Sequence, residues 1–190
     1  MYPPDVFRGT IERLIAILDR HHIRFHLTGG ITSAAFGEPR MTQDIDFVVD
    51  PKEIAENLGG MISSLRESGF LFDEKSLRLA VREGSMFQLL DDRESLKLDV
   101  YPRELIPGEL SRSQAFEIFP GLALPIASRS DIAVSKLLWI SKGSHKSRRD
   151  FRHIFRSSDT AAQQTIRDLA IQLDLSSLLD IVLAESDELA

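Results

Sequence analysis

At 190 residues, 43% of them hydrophobic and 27% charged, the chain is long enough for one well-buried domain or for one domain with a helical appendage. No run of eighteen uncharged apolar residues is present, so membrane insertion is not expected, and a net charge of -6 argues against coating nucleic acid over the whole surface. Cysteine is absent and "MYPPDVFRGTIERL" lacks the basic start and apolar segment of a secretory signal, so the cytoplasm is the expected compartment.

Val6, Phe7, Ile11, Leu14, Ile15 and Leu18 recur at helical spacing, which predicts a first helix with Asp5 as its cap after Pro3 and Pro4. "IRFHLT" alternates as a strand and stops at Gly29-Gly30. The small residues of "ITSAAFG" suit a short, closely packed helix ending at Gly37, and "DIDFVVD" is β-branched and aromatic, as a strand requires. "KEIAENLGGMISSLRES" reads as a helix despite Gly59-Gly60, each of which costs about 1 kcal/mol relative to Ala.

From Gly69 to about Leu124 the segments "FLFDE", "SLRLAVRE", "SMFQLLD", "SLKLDVYP" and "AFEIF" read as short antiparallel strands. Ser128 or Ser130 then caps a helix running to Ser141, and helical spacing persists through "SRRDFRHIFR" and "TAAQQTIRDLAIQLDLSSLLDIVLAE". The fold expected is α+β: a mixed sheet flanked by helices over residues 1–125, followed by a helical region over 126–190.

Asp44 and Asp46 sit two apart on a strand, so they project to one face while Ile45 takes the other. Like charges at that spacing repel, and beside an apolar strand they call for a positive partner. A hard divalent cation held with substrate phosphates meets that need; Arg or Lys partners, or a solvated first turn of the strand, meet it as well. Asp99 alternates with Leu98 and Val100 and shares its face with Lys97 and Tyr101. If its strand pairs beside "DIDFVV", three acids meet and a two-metal site becomes feasible.

Gly29-Gly30 permits positive φ and close backbone approach at the start of a helix whose N–H groups, at Ile31, Thr32 and Ser33, can seat phosphate oxygens. The succession of strand, glycine pair, short helix and strand with two acids places an anion seat near a cation seat.

These residues carry a resemblance. "LTGGITSAAFGEPRMTQDIDFVV" resembles the signature of the polymerase-beta-type nucleotidyltransferase superfamily, and "GEPRMTQDIDFVV" is most similar to small bacterial nucleotidyltransferases related to the AbiEii type of toxin. "SRSDIAVSKLLWISKGSHKSRRDFRHI" is similar to their helical segment. The resemblance implies a nucleotidyltransferase that moves a nucleoside monophosphate from a triphosphate such as ATP to an acceptor hydroxyl. It implies Asp44, Asp46 and Asp99 as the catalytic and metal-binding acids, two Mg²⁺ ions as cofactors, and Gly29 and Gly30 against the triphosphate. Many relatives carry Ser where Gly30 stands, so phosphate binding here falls to backbone N–H groups and Ser33.

Arg40 can pair with the triphosphate or with Asp44; Lys136, in the apolar "IAVSKLLWI", can reach the nucleotide or extend to solvent. Residues 142–156, "KGSHKSRRDFRHIFR", hold six Lys or Arg against one Asp and can contact RNA or form a solvated face. His21, His22 and His26 do not read as a zinc cluster, since two end a helix and the third sits on a strand. Expected partners are a nucleoside triphosphate, an acceptor that is tRNA or a small molecule such as an antibiotic, and an antitoxin. A non-catalytic regulatory protein of the same fold is the alternative from another class.

Overall fold

The computed structural model describes residues 4–36 and 44–185, with side chains described for 7–32, 36 and 45–185. Seven strands form one mixed sheet among these residues. They are β1 (Phe25–Thr28), β2 (Asp44–Val49), β3 (Phe70–Leu71), β4 (Phe87–Asp91), β5 (Lys97–Tyr101), β6 (Gln114–Phe119) and β7 (Leu122–Ile126), in the spatial order β3-β4-β5-β2-β1-β7-β6. β2 runs parallel to β5 and β1 parallel to β7; the other pairs are antiparallel.

The described chain divides into two compact units, Met1–Ile31 with Arg40–Ala127, and Thr32–Pro39 with Ser128–Ala190. The division falls inside α2 (Gly29–Phe36).

The first unit contains the sheet with α1 (Pro4–Arg20), α3 (Pro51–Glu67) and α4 (Glu74–Glu83). Ile11, Leu14, Ile17 and Leu18 form the buried stripe of α1, and Ile54, Met61, Ile62 and Leu65 that of α3. Asp50 caps α3 by accepting from the N–H groups of Lys52 and Glu53, and Pro51 occupies the first helical position, where a missing N–H costs nothing. Gly60 has a packing reason: a Cβ there would lie 2.7 Å from Cε1 of His21, whose Nε2 is 2.9 Å from Ser64 Oγ. The glycine thus leaves room for the His21 ring, just past the end of α1, to lie against α3.

Several expectations are corrected here. α1 begins at Pro4, so Asp5 lies inside its first turn and not before it. α2 begins at Gly29 itself, before the small-residue segment; Gly37 lies outside the described residues. "SLRLAVRE" is helical, forming α4: Asp73 caps it by accepting from Ser76 N–H, and Gly84 closes it in the left-handed conformation at φ 63°. Leu77 and Ala80 are its buried residues, three apart, whereas Leu79, which made the segment look alternating, is exposed. Leu122–Ile126 is a strand despite Pro125, and its neighbour β1 runs parallel to it, so the middle third is not a purely antiparallel run.

The second unit is helical: α5 (Arg129–Ser141), α6 (Lys146–Arg156), α7 (Thr160–Gln172) and α8 (Ser176–Ala184). Ser128 caps α5, its hydroxyl accepting from Asp131 N–H. Ile132, Ala133, Val134 and Leu137 of α5 are buried with Phe151, Ile154 and Phe155 of α6, Ile166 and Ala170 of α7, and Leu179 and Val182 of α8.

Candidate active site

The polar row of the sheet follows from register. Asp46 on β2 is opposite Thr28 on β1 and Asp99 on β5, and Asp99 is opposite Gln88 on β4. Paired residues on neighbouring strands point to the same face, with strands about 4.8 Å apart, so the carboxylates of Asp46 and Asp99 are side by side. The alternate residues Ile45, Phe47, Leu98 and Val100 are fully or almost fully buried on the opposite face, which fixes the register: a slip by one residue would exchange the acids for the core. Asp44 pairs by backbone register with Lys97, two positions before the pair of Asp46 and Asp99.

β1 delivers Gly29 to the same end of the sheet. Its φ is 71°, and a Cβ added there would fall 2.0 Å from Oδ2 of Asp46. Glycine is therefore required twice over, for the left-handed backbone and for the carboxylate that occupies the side-chain space. Gly30 follows within α2. Lys97 approaches Asp99, Nζ to Oδ1 at 4.0 Å, and is itself 43% exposed. Alternation placed Lys97 on the acidic face, but spacing alone assigned it no task.

Beyond β5 the chain turns back over β1. Glu109, in the short 3-10 helix Glu109–Arg112, is 1% exposed and accepts through Oε1 from the N–H groups of Leu105 and Ile106, the latter at 3.1 Å. Its Oε2 lies 3.4 Å from Nε2 of His26, which is fully buried and whose Nδ1 is 2.8 Å from Ser113 Oγ. Glu104 accepts from Gly108 and Leu110 N–H groups in the same loop. This buried polar set, invisible in the sequence because its members are far apart, ties the loop after the Asp99 strand to the strand that carries Gly29.

A hard divalent cation fits the chemistry present. Asp46 and Asp99 supply oxygen donors from register partners, pressed against a glycine that leaves room for one carboxylate. Among the described residues no group of three His, Cys, Asp or Glu side chains gathers to hold a metal ion; of Asp44 only the backbone register is described. Ser33 lies in α2 and Arg40 outside the described residues. Lys136, within the second unit, is 6% exposed and its Nζ lies 3.1 Å from Oδ2 of the half-buried Asp150 on α6, so its charge has a structural partner. Among the described residues no helix is long and apolar enough to cross a membrane.

The family described as nucleotidyl transferase AbiEii toxin, type IV toxin–antitoxin system, matches over residues 13–173. The chain belongs to this family. It is a nucleotidyltransferase, as the glycine pair and the acids of "LTGGITSAAFGEPRMTQDIDFVV" implied by resemblance. Among solved structures it is similar to the antibiotic-resistance factor ANT(2″)-Ia in solution (TM-score 0.55, 14% identity, 90% of this chain and 94% of that one). It is also similar to an antigenic nucleotidyltransferase-like protein from Paracoccidioides brasiliensis (TM-score 0.52, 20% identity, 93% of both chains). A crystal structure of ANT(2″)-Ia in complex with adenylyl-2″-tobramycin gives a TM-score of 0.50 at 14% identity, over 96% of both chains. At these identities the likeness is one of fold, the mixed sheet flanked by helices. Among curated protein sequences no match is found.

Proposed function

We propose that this AbiEii-family nucleotidyltransferase moves a nucleoside monophosphate from a Mg²⁺-bound triphosphate to a hydroxyl of RNA, with Asp44, Asp46 and Asp99 as its acids. The observation that carries the reading is the register pairing of Asp46 with Asp99 beside Gly29, which puts two carboxylates and a backbone able to approach a phosphate at one end of the sheet. When bound between the carboxylates, Mg²⁺ supplies positive charge to the α-phosphate and the leaving pyrophosphate.

The residues divide the remaining work. Gly29 and Gly30 admit the triphosphate against backbone N–H groups at the start of α2, where the helix dipole favours anions. Asp99 takes the proton of the acceptor hydroxyl as the new phosphodiester forms. Lys97, 4.0 Å from Asp99, adds positive charge beside that carboxylate and lowers the cost of gathering acids there. Ser33, Arg40 and Lys136 enter as nucleotide contacts on sequence grounds alone. An antitoxin and a cytoplasmic setting belong to the same proposal through the family.

Incubation with each α-labelled triphosphate and Mg²⁺, offering total RNA in one arm and aminoglycosides in another, tests it. Label on RNA that disappears with chelator and with Asp46→Asn is the expected result; label on no acceptor sinks the proposal. A small hydroxylated acceptor is the second reading, favoured by the fold shared with ANT(2″)-Ia, and label confined to the antibiotic arm would select it.

A further inference from the structure

The sheet face that carries the acids continues past Asp99. In the strand order, Asp99 stands between Asp46 and Gln88, and the next row of the same face runs from Asp44 through Lys97 to Leu90 of β4 and on to Leu71 of β3. The alternate residues, Phe87, Leu89 and Asp91 on β4 and Phe70 on β3, take the opposite face, where all four are buried. Gln88 is exposed, and Leu90 and Leu71, which are register partners, are 40% and 55% exposed. A single surface leucine calls for no explanation. Two that share a face and continue a row of acids do.

We propose that Leu71 and Leu90 form an apolar shelf for the 3′-terminal nucleobase of the RNA acceptor, with the Gln88 amide reading the edge of that base. The inference deepens the transfer reading above and rests on it for the acceptor hydroxyl that meets Asp99. The triphosphate enters on the β1 side of the acids, against Gly29 and Gly30, so an acceptor that reaches Asp99 enters over β5 and β4. Leu90 is a diagonal neighbour of Asp99 across the β4–β5 ladder, which sets it about 7–8 Å away. A nucleoside whose sugar hydroxyl meets Asp99 extends its base over that distance. The leucines offer the base an apolar surface for its flat face, and the glutamine amide offers both a donor and an acceptor for its edge. A chain end suits the shelf, because its base leaves the stack without breaking a duplex and its ribose hydroxyls are free. A stable protein interface buries about 800 Å² on each partner, far more than two leucines and a glutamine provide.

The experiment is fluorescence anisotropy of the full chain, with Mg²⁺ and without nucleotide, on labelled RNA hairpins that have a single-stranded 3′ end and differ only in the last nucleotide, which carries one of the natural bases or is abasic. The parent should prefer a base-bearing end by about tenfold, the order of one stacking contact. Leu71→Thr/Leu90→Thr, which keeps strand propensity while shrinking the shelf, should lose most of that preference. Its thermal midpoint and its affinity for Mg²⁺–triphosphate should match the parent, since both leucines are exposed. Gln88→Leu should keep the preference for a base and lose the parent's ranking among the bases; an unchanged ranking overturns the edge contact. A double variant that keeps the preference in full, or a parent that shows none, overturns the shelf. So does sedimentation of the parent as a dimer and the double variant as a monomer, which would give the leucines to a second copy of the chain. Because binding is read without transfer, a parent that holds the terminal base on the leucines but labels no acceptor refutes only the transfer reading.

Discussion

The space where a side chain of residue 29 would stand is taken by the carboxylate of Asp46: the hypothetical Cβ lies 2.0 Å from Oδ2, at a backbone φ of 71°. Gly29→Ala therefore imposes two costs. A left-handed Ala costs about 1–2 kcal/mol, and the methyl displaces the carboxylate from the row it shares with Asp99. The thermal midpoint should fall by roughly 2–8 °C and transfer by about 100-fold, the loss that an ångström of misplacement produces. Activity at the parental level would show that the Asp46 position is immaterial.

Asp46→Asn separates stability from chemistry. Removing one of two adjacent carboxylate charges relieves repulsion in the metal-free protein, so its midpoint should hold or rise while Mg²⁺-dependent nucleotide binding disappears. Calorimetry with and without Mg²⁺ reads both halves, and retained metal-dependent binding would remove Asp46 from the ligand set.

Glu109 predicts a purely structural loss. Glu109→Ala strips acceptors from the N–H groups of Leu105 and Ile106 and leaves buried His26 without its neighbour, so urea unfolding should show about 2–4 kcal/mol less stability. Glu109→Gln keeps the amide oxygen for those N–H groups and should recover most of it. Equal losses in the two variants would mean that the charge beside His26, and not the loop bonds, is what matters.

Lys136 and Asp150 yield a cycle. Lys136→Met alone removes the cation beside the Asp150 carboxylate in the second unit and should cost about 3 kcal/mol, while Lys136→Met/Asp150→Leu restores much of the stability. Triphosphate affinity of the double variant then reports the second role: recovery marks Lys136 as a structural cation, and persistent loss marks it as a nucleotide contact.

Acid sensitivity should be traceable to the start of α4. Hydrogen bonds from Arg78, then Arg66, hold the Glu74 carboxyl below its ordinary value of 4.5, and hydrogen bonding with Ser76 does the same for Asp73. Folded-state values depressed in this way contribute stability that is present above the ordinary carboxyl range and lost as pH falls through the depressed values. Glu74→Gln should thus lower the midpoint at neutral pH, with the difference from the parent shrinking as pH drops below 4.5. A difference that stays constant down to strongly acidic pH would contradict the assignment.

Much of this was legible from local pattern. The helices around Ile54–Leu65 and Ile132–Ile140, and the strands carrying Asp46 and Asp99, announce themselves by period and by caps. That Asp99 joins Asp46 was only conditional, because strand neighbours 53 positions apart leave no mark in either segment. α4 was misread because Leu77, Leu79 and Val81 alternate as a strand would, and a ten-residue amphipathic helix places only Leu77 and Ala80 in the core. The pairing of His26 with Glu109 had no local signal at all: a lone histidine in a strand and a glutamate after a glycine are ordinary until the loop closes over them.

The parallel alignment of β2 with β5 sets an order of events during synthesis. Everything from α3 through β4 lies between the two strands, so a nascent chain that has emerged only as far as Leu96 carries Asp44 and Asp46 but not yet the strand that supplies Asp99. Such distant pairings form slowly, after their intervening segment has closed. On the proposed chemistry, a ribosome-bound chain cannot bring its three acids together until β5 has been made and has docked, a delay built into the order of the strands.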